Sequence, residues 1–105
     1  MKETDWDRIV VLYEALGRLA PSPVVDLNRA VAVSMAQGPA AALPIVDSLA
    51  AAGAFKDSHQ LPGVRGELLL RLGRLDEART ELEQAIRLCG NERERAVLSR
   101  KLAAL

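Results

Sequence analysis

The chain has 105 residues and a mass of 11.3 kDa, one domain's worth, and with half its positions apolar it can bury a modest core without disulfide or metal support. Fourteen Lys and Arg balance fourteen Asp and Glu, so no excess charge draws the surface to phosphate backbones or anionic lipid, and a dedicated nucleic-acid binder is disfavoured. No apolar run approaches the roughly 20 residues that cross a bilayer, no signal-peptide core follows Met1-Lys2-Glu3-Thr4-Asp5, and the single Cys89 excludes an internal disulfide, so the expectation is a soluble, cytoplasmic protein.

Aromatics make up only 3% of the chain and Ala, Leu and Arg dominate, a mixture with strong helix propensity and little strand character. Thr4-Asp5-Trp6-Asp7 has the form of a capping box, and Trp6, Ile9, Val10, Tyr13, Leu16 and Leu19 then repeat at three and four, which predicts an amphipathic helix over about 5–19. Ala20-Pro21-Ser22-Pro23 stops it. Ser22 is set to cap a second helix with Pro23 in its first position, where a missing N–H costs nothing, and this helix carries Val24, Leu27, Ala30, Val31, Ser34 and Met35 as far as Gly38. Gly38-Pro39 opens a third helix bearing Leu43, Val46, Leu49 and Ala50. Pro44 clashes with the carbonyl four residues back, so this helix is expected to kink or to begin late, near Leu43.

Ala51-Ala52-Gly53-Ala54-Phe55-Lys56 is the longest break. Asp57-Ser58 then caps a fourth helix running through Leu68, Leu69 and Leu70 to Gly73, with Pro62-Gly63 loosening its first turn. The fifth helix, about 75–88, is the clearest: Leu75, Ala78, Leu82, Ala85, Ile86 and Leu88 face one way, while Asp76 with Arg79 and Glu83 with Arg87 are placed to pair on the wet side. Gly90 ends it, and Asn91-Glu92-Arg93-Glu94 is a second capping-box-like start. In the last helix Val97, Leu98, Leu102 and Leu105 form a narrow apolar seam, and Arg93, Arg95, Arg100 and Lys101, interleaved with Glu92 and Glu94, form its wetted side. The reading is all-α, six helices and no strand.

The pattern is also periodic. The spacings of Trp6, Ile9, Tyr13, Leu16, Leu19 and Pro21 recur in Leu75, Ala78, Leu82, Ala85, Leu88 and Gly90, displaced by 69 residues, close to twice the roughly 34-residue period of helix-turn-helix tetratricopeptide repeats. Gly38 and Gly73, each closing one helix and admitting the next, stand 35 apart. Small residues such as Ala78 and Ala85 let antiparallel helices approach, Leu75 and Leu82 fill the gap to the next pair, and Gly66 falls in the small slot of the partner helix. The expected architecture is therefore about six antiparallel helices stacked as hairpins in a tetratricopeptide-like right-handed superhelix, a single domain over 1–105. In this register the first helix is the second half of a hairpin whose partner precedes Met1, so the chain is expected to be a C-terminal fragment of a longer protein. Trp6, Tyr13 or their neighbours would then present an uncovered apolar face, suited to a homodimer or to docking on an upstream domain.

The wording of the chain also resembles a family. Asp5-Trp6-Asp7-Arg8-Ile9-Val10-Val11-Leu12-Tyr13, Ala20-Pro21-Ser22-Pro23-Val24-Val25-Asp26-Leu27-Asn28-Arg29-Ala30-Val31-Ala32-Val33 and Gly38-Pro39-Ala40-Ala41-Ala42-Leu43 look like the C-terminal extension of a group of bacterial extracytoplasmic-function sigma factors, which is tetratricopeptide-like. The likeness continues through Leu69-Leu70-Arg71-Leu72-Gly73-Arg74 and Asn91-Glu92-Arg93-Glu94-Arg95-Ala96-Val97-Leu98. Pro44, Pro62-Gly63 and Ser58 depart from the family pattern. In such proteins the promoter- and polymerase-binding regions lie upstream and the extension acts through protein contacts. The resemblance thus implies a non-enzymatic, regulatory interaction domain that controls transcription initiation. Its partner would be a protein or peptide, the upstream sigma regions or RNA polymerase among the candidates, without a cofactor, DNA binding of its own or a membrane. The alternatives are a helical nucleic-acid-binding domain, against which zero net charge counts, and a small helical enzyme or ligand-binding bundle, which lacks a convergent acid, base or nucleophile.

Candidate site residues follow from the repeat register. First helices of tetratricopeptide hairpins line a concave groove whose polar residues grip an extended peptide or a terminal carboxylate. Asn28, Ala32 and Met35 are expected to share one face with Glu67, Leu70 and Arg71 of the next first helix. The competing reading gives Asn28 a structural hydrogen bond and leaves Arg29 in solvent. His59 and Cys89, the sole imidazole and the sole thiol, have no second His or ordered Ser/His/acid pattern around them and are read as structural, with no metal site and no catalytic residue.

Overall fold

A computed structural model describes residues 4–105. Among them are six α-helices and no strand: α1 (Trp6–Leu19), α2 (Pro23–Gln37), α3 (Pro39–Ala51), α4 (Gln60–Arg71), α5 (Leu75–Leu88) and α6 (Glu92–Ala103). None of these helices is long and apolar enough to cross a membrane.

The starts of the helices are written in short polar side chains. Asp5, not Thr4, caps α1, its carboxylate accepting from the Arg8 N–H at 3.1 Å. Ser22 Oγ accepts from Val24 N–H at 3.2 Å with Pro23 in the first position of α2, as expected. Ser58 Oγ accepts from Gln60 N–H at 3.2 Å at the head of α4. Asn91 caps α6, its Oδ1 accepting from Arg93 N–H at 2.9 Å and Glu94 N–H at 3.1 Å. Gly38 joins α2 directly to α3 at φ 96°, a left-handed geometry that an L side chain adopts only under strain.

Two prolines behave differently from the sequence expectation. Pro62 lies in the first turn of α4, where the N–H it lacks would have had no intrahelical acceptor, and its ring is buried, so the helix begins ahead of it at Gln60. α3 begins at Pro39 and continues past Pro44 to Ala51, so it does not start late near Leu43. Pro44 and Ala40 both face solvent, so water takes the place of the N–H that the Ala40 carbonyl loses, while Ala42, Leu43, Val46 and Leu49 stay buried on the other side. Pro44→Ala restores that hydrogen bond and is expected to raise the unfolding free energy by about 1–3 kcal/mol, seen as a higher urea midpoint. An unchanged or lower midpoint would mean that α3 gains nothing from the added N–H.

Each helix packs on the next one in the chain, and α2 also touches α4. The core follows this order. One buried cluster extends from Val10 of α1 through Leu27, Ala30 and Val33 of α2, Val46 of α3 and Leu69 of α4 to Ala78, and a second gathers Leu82, Ala85, Cys89 and Leu98. Leu70 packs against both. At the α4–α5 contact a Cβ built on Gly66 would stand 3.1 Å from Leu82 Cδ2 and 3.2 Å from its Cγ, so glycine sets how closely these helices approach. Arg65 adds a polar tie across three helices, with Nε donating to Asp47 of α3 at 2.8 Å and Nη1 lying 3.2 Å from Glu81 of α5. The hydrogen bond to Asp47 chiefly holds the guanidinium above its already high ordinary pKa, so it carries its charge throughout the neutral range. On the wet side of α5 the pairs among the described residues are Arg74 with Glu77 and Arg87 with Gln84, rather than Asp76 with Arg79 and Glu83 with Arg87.

Trp6 and Tyr13 are half-buried and pack on the core, so they do not form an uncovered face. The helix docks on α2 through the stripe Trp6, Val10, Tyr13 and Gly17, the last facing Val25 at 3.8 Å, and turns Val11, Leu12, Leu16 and Leu19 outward. α1 does carry an exposed apolar strip, but a neighbouring one.

Candidate functional site

Along α2, Val24, Asn28, Val31 and Met35 fall at intervals of four, three and four, one line on a helix, and all four are exposed. The opposite arc, Leu27, Ala30, Val33 and Ser34, is buried. Two apolar faces on one helix reflect its position between α1 and α3, which cover its flanks and leave the line through Asn28 open. That line forms one wall of a hollow of about 480 Å³. Gln60, Gly63, Val64 and Glu67 of α4, Leu98 and Lys101 of α6, and Phe55 and His59 of the connecting segment line the rest of it.

The hollow is apolar in body with polar groups at its rim, the usual composition of a binding concavity. Lys101 Nζ pairs with Glu67 at 2.8 Å across the α4–α6 boundary. Asn28, on α2, is exposed and lines the same hollow. Phe55 is held at φ 56°, a left-handed conformation unusual for a bulky residue, with its ring packed on the core beside the hollow.

Of the residues expected to line a groove, Asn28 and Glu67 meet here. Met35 is exposed on the same line of α2 but beyond the hollow. Ala32 is buried and offers nothing to a partner: it lies seven residues after Val25, on the α1-facing edge of α2. Leu70 is half-buried between the two core clusters. Arg71 is exposed, but its Nη2 donates to the Ser34 carbonyl at 3.2 Å, tying the end of α4 to the end of α2. Arg29 is not left in solvent; it is half-buried, 3.8 Å from Asp26. Of the six residues expected on one face, Asn28 and Glu67 line the hollow, whereas those nearer the C-terminal ends of both helices do not. Val24, Val31, Val64, Leu98 and Lys101 were absent from that expectation. For Val24 and Val31 a signal is present in the four-three-four line through Asn28, but a valine on such a line reads as core until neighbouring helices are placed; Val64, Leu98 and Lys101 carry no comparable signal.

A second group meets at the joint of α4, α5 and α6. The side chains of His59, Cys89 and Glu94 converge, with His59 Nε2 against Glu94 Oε2 and Cys89 Sγ 3.9 Å from the same oxygen. Thirty residues separate the imidazole from the thiol, so sequence alone gave no reason to bring them together.

Over 101 residues the chain is 50% identical to an uncharacterized protein of Rhizobium meliloti (strain 1021), an alignment covering 96% of this chain and 23% of that protein. The chain therefore spans about a quarter of the length of this relative. No family model matches the chain, and no solved structure does.

Proposed function

We propose that this chain is a non-enzymatic protein-interaction domain, the regulatory C-terminal region of a bacterial extracytoplasmic-function sigma factor, acting in the cytoplasm on transcription initiation. The helices are read as a tetratricopeptide-like stack: α2 with α3 and α4 with α5 as antiparallel hairpins, α1 as the second helix of a preceding one, and α6 as the closing helix. In such a stack the first helices line the concave side. The observation that carries the reading is the hollow lined by α2, α4 and α6, alternate helices in the chain, with Asn28 and Glu67 among its lining residues. Further support comes from the sequential helix packing and from the sequence likeness over nearly the whole chain. The occupant is a segment of protein, from the upstream sigma regions or from RNA polymerase, laid along the apolar wall of Val24 and Val31 and gripped at its polar groups by Asn28 and the Glu67–Lys101 pair.

The test is run in the full-length parent. Val31→Glu places a charge on the exposed wall without touching the buried arc, and is expected to change sigma-dependent transcription in a purified system at least tenfold, with the helical circular dichroism and urea midpoint held. Asn28→Ala is expected to act in the same direction, more weakly. Transcription that is unaltered by Val31→Glu and by removal of the whole region would overturn the proposal.

A further inference from the structure

We propose that His59, Cys89 and Glu94 form a binding site for one divalent cation of the zinc class. The donor atoms of the three side chains all lie within 4.8 Å of one another. They come from three separate segments: the residue before α4, the residue after α5, and the first turn of α6. A thiolate, an imidazole and a carboxylate are a donor set suited to zinc or cobalt, and the sulfur weighs against magnesium and calcium, which take oxygen.

Side-chain adjustment of about an ångström brings the three donors to three corners of a tetrahedral ion. Metal bonds of about 2.0–2.3 Å at tetrahedral angles put neighbouring donors roughly 3.4–3.6 Å apart. Cys89 Sγ stands 3.9 Å from Glu94 Oε2, a few tenths of an ångström from that edge. His59 Nε2 and Glu94 Oε2 are in direct hydrogen-bond contact and must separate by about 1 Å to admit the ion, a movement the partly exposed side chains allow. Cys89 is buried, whereas the His59 and Glu94 side chains are 26% and 54% exposed, so the sulfur forms the inner end of the site and the outer side is open for entry and for a water as fourth ligand.

The turn that carries the thiol is held by contacts of its own, and Glu94 is aimed at the other two donors. A capping-box glutamate ordinarily reaches back to the N–H of the capping residue, but Glu94 is turned to His59 and Cys89 while Asn91 caps the helix without it. The Cys89 thiol donates to the Asn91 carbonyl at 3.3 Å, and Arg95 Nη2 donates to the Cys89 carbonyl at 2.5 Å, which fixes the turn that carries the sulfur. On binding, the thiol proton leaves to solvent and the sulfur–metal bond replaces the S–H, so thiolate and carboxylate together balance the two charges of the ion. The metal then clips the head of α4 to the α5–α6 joint, at the edge of the hollow that His59 also lines.

The experiment is a titration of the reduced protein with Co(II), followed by displacement with Zn(II). The expected result is one equivalent bound, with a sulfur-to-cobalt charge-transfer band and the strong visible bands of a tetrahedral ion, and a higher melting temperature with zinc than with a chelator. Cys89→Ser is expected to abolish the charge-transfer band. His59→Ala and the conservative Glu94→Gln, whose side chain is largely exposed, are each expected to weaken cobalt binding at least tenfold while far-ultraviolet circular dichroism shows the helices intact. Absence of the band from the unaltered protein would overturn the proposal. So would a band that survives both His59→Ala and Glu94→Gln at full affinity, since that is a thiol adduct without a site.

Discussion

Replacing Leu82 by alanine is expected to lower the unfolding free energy by about 3–5 kcal/mol, the range for deleting a fully buried leucine side chain where the surroundings relax only in part. Leu82 has no exposed surface, and it packs among Ala85, Cys89 and Leu98 while lying against the backbone of Gly66 on α4. Its loss therefore opens a cavity at the contact that joins the two halves of the core. Equilibrium urea denaturation followed by circular dichroism checks this. A loss below about 1.5 kcal/mol would mean that α4 and α5 close over the gap, and that their separation is not set by these side chains.

Gly66→Val is the opposite perturbation at the same contact and is expected to cost about 2–3 kcal/mol. A Cβ alone already falls 3.1 and 3.2 Å from Leu82 carbons and 3.4 Å from Glu81 Cβ, and two further methyl groups have no free volume to enter. Gly66→Ala is milder, because the roughly 1 kcal/mol gained in helix propensity offsets a few tenths of an ångström of crowding, and its net effect is expected to lie within about 1 kcal/mol of zero. The two sites are coupled by contact. In the Leu82→Ala background the cavity receives the new side chain, so Gly66→Val is expected to lose most of its cost there. A double-mutant cycle with additive effects would refute the close approach.

Helix by helix, much of this architecture was legible in the chain. Ser22-Pro23, Asn91 and the apolar spacing of 75–88 each act within one or two turns, through a cap, a fixed φ or an amphipathic stripe, and such local causes operate before any tertiary contact exists. Pro44, read from the same local causes, suggests a kink or a late start, and the late start does not occur. Its local penalty is real, but the buried arc of Ala42, Leu43, Val46 and Leu49 outweighs one hydrated carbonyl. On α1, the spacing of three and four identified an apolar helix but not which of two adjacent stripes would be covered, so Trp6 and Tyr13 were assigned to the open side while Leu12 and Leu16 in fact hold it.

The sequence by itself determined the helical class, the number of helices among residues 4–105 and the small residue at Gly66, because each depends on neighbours a few positions away or on side-chain size alone. Only the tertiary structure decided that Val24 and Val31 face a hollow, that Ala32 is sealed under α1 and that Arg71 is held by the Ser34 carbonyl. It likewise brought His59 to Cys89 and Glu94. These outcomes depend on how far helices remote in sequence rotate about their own axes when they pack. That rotation is fixed by the sum of many weak contacts, and no single residue records it.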